Sequence, residues 1–406
     1  MQRHGSGQDE SVVPAPASVA PPVASSTRLE PRPPAAVVPR PARPTIAALT
    51  GLRAVAAVWV VLFHYRDDIL ALAPFLDPLE PLMSAGYLGV DVFFVLSGFV
   101  LAYNYSDRLQ TWRPREAASF VQNRVARVWP VHLVTLHADL LQAWVVGTLG
   151  VTADGHRRTL SAYVENLTMT HTWWNDRPSF NAPAWSISAE WAAYLACPLL
   201  LLGVARLRSA WSAATLALAG YAVMLTIFAL WALPNGNVAH ASMLRLAAEF
   251  CAGLLALRIY QRRPNLLGRL AIPLALGVVV VVLTVPVVHH GYWLAPALGL
   301  LVLCVALDAG PLARLLSCRS FLLWGEASYC LYMTHVLLMP ALHALVSPSD
   351  VAGWPPLERL GVLAGYVAVL AAASVLLHRS VEVPARRRLR SKASAAPPVP
   401  SPATAQ

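Results

Sequence analysis

Arg53 and His64 are the ionisable side chains of an otherwise apolar stretch, "GLRAVAAVWVVLFHY" at 51–65. Eleven residues at 100° each come to about 1100°, so a helix places both on one face, about 16 Å apart along its axis. An arginine offers a planar guanidinium fork suited to phosphate. A neutral histidine takes a proton from a hydroxyl when a neighbouring carboxylate fixes its tautomer and stabilises the imidazolium. The spacing therefore suits group transfer from a long, thin, phosphorylated carrier such as coenzyme A. Arg53 would hold the phosphates, and His64 would activate the acceptor.

Other groups join these two. Arg124 and Arg127 lie three apart in "RVARVWP" and share a helix face. Asp91 stands in "GYLGVDVFFVLSGF", and Glu190 follows Ser186 by four residues in "PAWSISAEW". Ser328, Tyr332 and His335 recur at i, i+4 and i+7 in "SYCLYMTH". Ionisable groups at membrane depth are costly unless they face a polar interior, so each is a functional candidate. Each also has a structural alternative. The arginine pair can snorkel to lipid headgroups, Asp91 can brace a helix start, and Glu190 can pair with an arginine rather than orient His64. Ser97 and Gly98 read as close helix packing by small residues. Arg386 to Arg390 read as an anchor to lipid headgroups. The twelve histidines are dispersed, which predicts no metal site. The five cysteines lack paired spacing and read as core thiols.

The elements that must hold these residues follow from composition. With 57% hydrophobic residues, 13% charged and a mean hydropathy of +0.53, the 406-residue chain reads as an all-α polytopic bundle in a membrane. About ten spans are expected, near 46–65, 86–104, 118–148, 184–205, 211–233, 243–260, 268–288, 292–308, 321–346 and 357–379. The third and ninth are long enough to tilt or break. With the N-terminus in the cytosol, only Arg66, Arg157, Arg158, Arg177, Arg245 and Arg359 of the 31 basic residues fall outside, so both termini are expected to be cytosolic. All the basic residues but Lys392 are arginine, a bias expected from GC-rich coding and hence of a bacterial inner membrane. Residues 1–45 and 391–406 are rich in Pro, Ala, Val and Ser and read as disordered tails around a membrane domain at 46–390; the first carries no signal-peptide pattern.

Arg53 with ten residues before His64, "GVDVFFVLSGF" at 89–99, "RVARVWP" at 124–130, "WSISAE" at 185–190, "SYCLYMTH" at 328–335 and "VEVP" at 381–384 together resemble the acyltransferase 3 family. The six motifs run in order over nearly all of the chain except its tails. The resemblance implies about ten transmembrane helices and transfer of an acyl group, usually acetyl, from acyl-CoA to hydroxyls, commonly of sugars. It matches Arg53 and His64 to the family's essential Arg and His, and Arg124 and Arg127 to its paired Arg motif; beside it, catalytic roles are expected for His64, Glu190 and Asp91, donor binding by Arg53, Arg124 and Arg127, and substrate contacts from Trp185, Ser186, Tyr332 and His335. Some members append a soluble esterase-like domain. Here a short basic, Pro-rich tail follows Glu382, so the chemistry is expected within the membrane domain or shared with a separate protein.

The partners expected are acyl-CoA as donor substrate, a carbohydrate or glycosylated small-molecule acceptor, and membrane lipid; no permanently bound cofactor and no nucleic acid are expected. The acceptor reads as an envelope polysaccharide or as a small glycosylated metabolite such as a macrolide. A proton-coupled transporter is the rival class, since intramembrane His and carboxylates also relay protons. Such folds show repeat symmetry that this sequence lacks. Trp173, Trp174 and Asn175, in the long outer loop from about 149 to 183, suit either a sugar or an interface.

Overall fold

The structure, a computed structural model, describes residues 44–148, 158–175, 179–231, 239–262, 265–285 and 291–390. Apart from residues 44 and 45, the tails expected to be disordered lie outside the described residues. Among the described residues every regular element is helical and none is a strand. Ten long helices carry the architecture: α1 (Ala47–His64), α2 (Gly89–Tyr105), α3 (Pro114–Thr148), α4 (Ala184–Arg206), α5 (Ala210–Trp231), α6 (Ala239–Tyr260), α7 (Ala271–Thr284), α8 (Ala295–Leu307), α9 (Arg319–Leu345) and α10 (Pro356–Leu377). Where lipid replaces water, each backbone polar group must be paired within its own segment, and a helix does this.

Each stretch expected to span coincides with one of these helices to within a few residues. Five segments are both long and apolar enough to cross a membrane: Ala47–His64, Pro74–Tyr105, Ala184–Arg206, Ala210–Leu230 and Pro356–Leu389. Helices α7 and α8 are apolar but shorter. The apolar composition of α3, α6 and α9 is diluted by the polar groups they hold inward, among them Arg124, Arg127, Arg245, Glu249 and His335. The possible break in the third and ninth stretches does not occur: α3 and α9 each run on as one helix with Pro130 and Pro340 inside. Exposed apolar side chains are spread over α3, α5, α7 and α10, including Trp144, Trp211, Leu218, Leu276, Leu357 and Leu376. Such faces fit lipid rather than water.

Small residues set how closely the inner helices pack. A Cβ at Gly98 of α2 would collide with the Phe250 carbonyl of α6, and one at Gly253 with the Val95 carbonyl. Gly325 of α9 lies in the same way on the Thr50 carbonyl of α1. The reading of Gly98 as close packing thus fits the α2–α6 seam, whereas Ser97 lines a cavity with its hydroxyl 3.4 Å from that of Tyr194. Around it Phe94, Leu101, Phe120, Phe250 and Leu254 form a buried apolar core. Beyond α10 a π-helical turn, His378–Glu382, leads into a short helix, Val383–Leu389. Such turns recur where a helix must redirect a functional side chain, and here the turn buries Glu382 completely. The cysteines are free, but Cys318 is exposed at the start of α9 and so departs from the expected core position.

Candidate active site

Helices α1, α2, α3, α4 and α9 enclose a cavity of about 110 Å³. Arg53 enters it from α1, Arg124 and Arg127 from α3, Ser186 and Glu190 from α4, and Ser328 and Tyr332 from α9. The helical periods explain the convergence: Ser186 and Glu190 are one turn apart on α4, as are Ser328 and Tyr332 on α9. Val90, Phe93, Phe94 and Ile187 supply the apolar part of the wall.

The three arginines differ in their state of pairing. Arg127 is paired with the buried carboxylate of Glu382. Among the described residues Arg53 and Arg124 form no hydrogen bond or ion pair. The Arg124 guanidinium instead lies 5.8–5.9 Å from the ring centres of Tyr105, Phe120 and Tyr194, which hold it by cation–π attraction without using its donors. Two guanidinium groups thus face a small cavity with their hydrogen-bonding capacity unspent, and a buried charge without a partner is costly. The Glu190 carboxylate is within electrostatic reach of Arg53, and one carboxylate between two guanidinium groups leaves net positive charge that suits an anion. Glu190 also lines this cavity, beside Tyr194 one turn on.

His64 belongs to a second centre, next to the first. Its Nδ1 lies 3.0 Å from the Val60 carbonyl and 3.2 Å from His335 Nε2, while His335 Nδ1 lies 2.6 Å from the Tyr332 carbonyl. Carbonyl oxygens only accept, so hydrogens on both Nδ1 atoms satisfy every contact. His335 Nε2 then accepts from His64 Nδ1–H, and His64 Nε2 keeps its lone pair. His335 is fully buried and fixes the geometry, with its ring 4.7 Å from that of His64, whereas the His64 ring is exposed. Tyr65 holds the same turn of α9, its hydroxyl donating to the His335 carbonyl at 2.7 Å.

Tyr332 links the two centres. Its ring is 5.6 Å from that of His335, and its hydroxyl faces the cavity 2.8 Å from Ser186 Oγ. Both hydroxyls also reach the Pro183 carbonyl, at 3.1 and 3.2 Å. The turn that starts α4 is therefore fastened to α9.

Several expected partnerships take a different form. The carboxylate expected beside His64 is replaced by His335, itself expected to contact substrate. Asp91 is instead bonded by Arg245 Nη2 at 2.6 Å, both fully buried between α2 and α6, and Glu249 is buried beside them. Arg245, placed outside by the span count, thus lies inside the helix bundle. Trp185 is absent from the cavity wall; it packs edge-on against Phe94, 6.2 Å away, with the Arg245 guanidinium over its face. Glu190 lies with the arginines. In the outer loop the Trp173 indole donates to the Ser188 carbonyl at 2.9 Å and Asn175 to Glu165 at 3.1 Å, while Trp174 is exposed; 149–157 and 176–178 are outside the described residues.

Sequence reasoning assigned no role to Glu249 or Glu382. Each is a lone carboxylate in or beside an apolar run, and that was the available signal. Glu382 also accepts from His378 Nδ1 at 2.9 Å and Cys330 Sγ at 3.2 Å. Those three side chains have metal-ligand character and spacing. The arginines on the same carboxylate favour a hydrogen-bonded cluster over a cation site.

The chain is 27% identical to Acyltransferase MdmB of Streptomyces mycarofaciens over 382 residues, covering 88% of this chain and 96% of that protein. It is 34% identical over 114 residues to Protein 2 in picA locus of Rhizobium radiobacter, covering 27% of this chain and 53% of that one. No solved structure matches. The family model described as an acyltransferase domain matches residues 46–378, which hold every residue of both centres except Glu382. A helical membrane chain with this match over most of its length belongs to the acyltransferase 3 family.

Proposed function

We propose that this protein transfers a short acyl group, acetyl, from acyl-CoA to a hydroxyl of a carbohydrate, working as a multi-pass protein of a bacterial inner membrane with both termini in the cytosol. The observation that carries this reading is the pair of guanidinium groups, Arg53 and Arg124, that line one cavity without a hydrogen bond among the described residues, together with a histidine in the neighbouring centre whose Nε2 is free to accept a proton. Arginine forks suit the phosphates of coenzyme A.

In the reaction the acceptor oxygen attacks the thioester carbonyl carbon while His64 Nε2 takes the hydroxyl proton. The imidazolium that forms is stabilised through Nδ1–H by the neutral His335 and the Val60 carbonyl. The carbon–sulfur bond then breaks, the thiolate takes the proton from His64, and an ester and free CoA leave. Direct transfer needs no nucleophile beyond the acceptor. Arginine enrichment on the inner side suits a cytosolic donor, and the outer position of His64 suits an acceptor met at or beyond the membrane.

The test uses purified protein in detergent with acetyl-CoA, following free CoA with and without fractions of cell-envelope glycans and of small glycosylated metabolites. Release that requires one of these fractions supports the reading and separates an envelope polysaccharide from a macrolide-like acceptor. A folded protein that releases no CoA with any fraction, or with longer acyl-CoAs, contradicts it.

A further inference from the structure

Arg386 stands apart from the basic residues that follow it. It lies one helical turn after Glu382, and its guanidinium is 3.7 Å from Glu382 Oε1. That carboxylate also pairs with Arg127 in the cavity wall, so Glu382 bridges the cavity and Arg386. The bridge is rigid, because His378 and Cys330 hold the other carboxylate oxygen. The helix that carries Arg386 is docked on α3, the helix of Arg124 and Arg127, where Gln122 Nε2 donates to the Leu389 carbonyl at 3.0 Å. Arg386 is within electrostatic reach of Arg53, Arg124 and Arg127. Yet its side chain is 52% exposed while Glu382 is wholly buried.

One carboxylate cannot balance two guanidinium groups. Glu326 is also within electrostatic reach of Arg386, but so are Arg124 and Arg390, so positive charge predominates at this half-exposed guanidinium, linked through Glu382 to the arginine-lined cavity and open to an incoming anion. Along an acyl-CoA the groups run in a fixed order: thioester, pantetheine arm, pyrophosphate, then the ribose with its 3′-phosphate. If the arm points inward, the pyrophosphate meets the inner arginines and the 3′-phosphate stays outermost. We propose that Arg386 forms a second anion subsite at the cavity mouth, taking the ribose 3′-phosphate of the donor; this rests on acyl-CoA being the donor. Arg386 lies beyond residues 46–378, so the family match assigns it nothing. Lipid headgroups carry the same phosphate chemistry, and the test separates the two sources.

The experiment measures binding of CoA and of 3′-dephospho-CoA to the full-length protein, to Arg386→Gln and to Arg387→Gln, with the lipid co-purified by each. Glutamine keeps a hydrogen-bond donor for Glu382, which guards the fold, and Arg387 controls for a general loss of charge. The expected result is about tenfold preference for CoA in the unaltered protein and in Arg387→Gln, falling below about twofold in Arg386→Gln. An unaltered protein without that preference overturns the subsite, as does Arg386→Gln with the preference intact. So does loss of co-purified anionic lipid from Arg386→Gln without any change in preference, which would return Arg386 to headgroup binding. In these cases binding of CoA leaves the donor reading standing. An unaltered protein that binds neither compound overturns both.

Discussion

At the scale of single residues, their hydrogen bonds make His64 and His335 unequal. His64 carries the free Nε2, and His335 acts only through it, as a positioning residue. Replacing His335 by Phe removes one of the two acceptors for Nδ1–H and leaves the Val60 carbonyl. A hydrogen bond to a charged group is worth about 1.5–3 kcal/mol, so kcat should fall roughly 10–100-fold while KM for the donor holds. Loss of donor affinity with unchanged kcat would show that His335 acts in the donor site instead. Arg53→Ala should do the reverse, weakening CoA binding by about tenfold or more, as titration calorimetry would read. The Asp91–Arg245 pair answers to a third rule. Arg245→Met leaves a buried carboxylate unpaired, which costs about 3–5 kcal/mol, and Arg245→Met with Asp91→Asn should recover part of that stability. Thermal unfolding of the two variants in detergent checks the order. Equal stabilities would contradict a buried ion pair.

At the scale of the helices, the site depends on how closely a few of them approach. Gly98 and Gly253 bring α2 against α6, and Gly325 brings α9 against α1, the contact that sets His335 beside His64. Gly325→Val should lower stability by about 1–3 kcal/mol and lower kcat more than Gly98→Val does, because it moves one histidine away from the other. Turnover normalised to folded protein separates the two effects, and equal losses would contradict this link. The helices themselves were legible in the sequence, since apolar runs near 20 residues long leave few alternatives. So was the grouping of Arg53, Arg124 and Arg127 at one end, whereas Glu190, expected near His64, lies with those arginines, and the meeting of Ser186 with Tyr332 was not legible. The pairing of His64 with His335, 271 residues away, was not, nor was that of Asp91 with Arg245, 154 residues away. No local period reports which helices become neighbours. A carboxylate was the natural partner to expect for His64, and packing supplied an imidazole.

At the scale of the whole molecule, the proposed orientation rests on charge and exposed surface together. Apolar side chains cover the outward faces of α5 and α10, and the arginine-lined cavity belongs to the side where basic loops accumulate. Cys318 offers a direct check, since it is the exposed cysteine among those in the described residues. It lies beside Arg314 and Arg319 in a connection assigned to the cytosol. A membrane-impermeant maleimide should label it in inverted vesicles and not in intact spheroplasts; the opposite pattern would reverse the topology. The central claim is a division of labour, with arginines that bind the donor and a histidine that moves the proton. The most direct measurement takes His64→Ala through both donor binding and acceptor-dependent CoA release. CoA affinity within about twofold of the unaltered protein, with no release above background, is the predicted result. Release at the unaltered rate would contradict it.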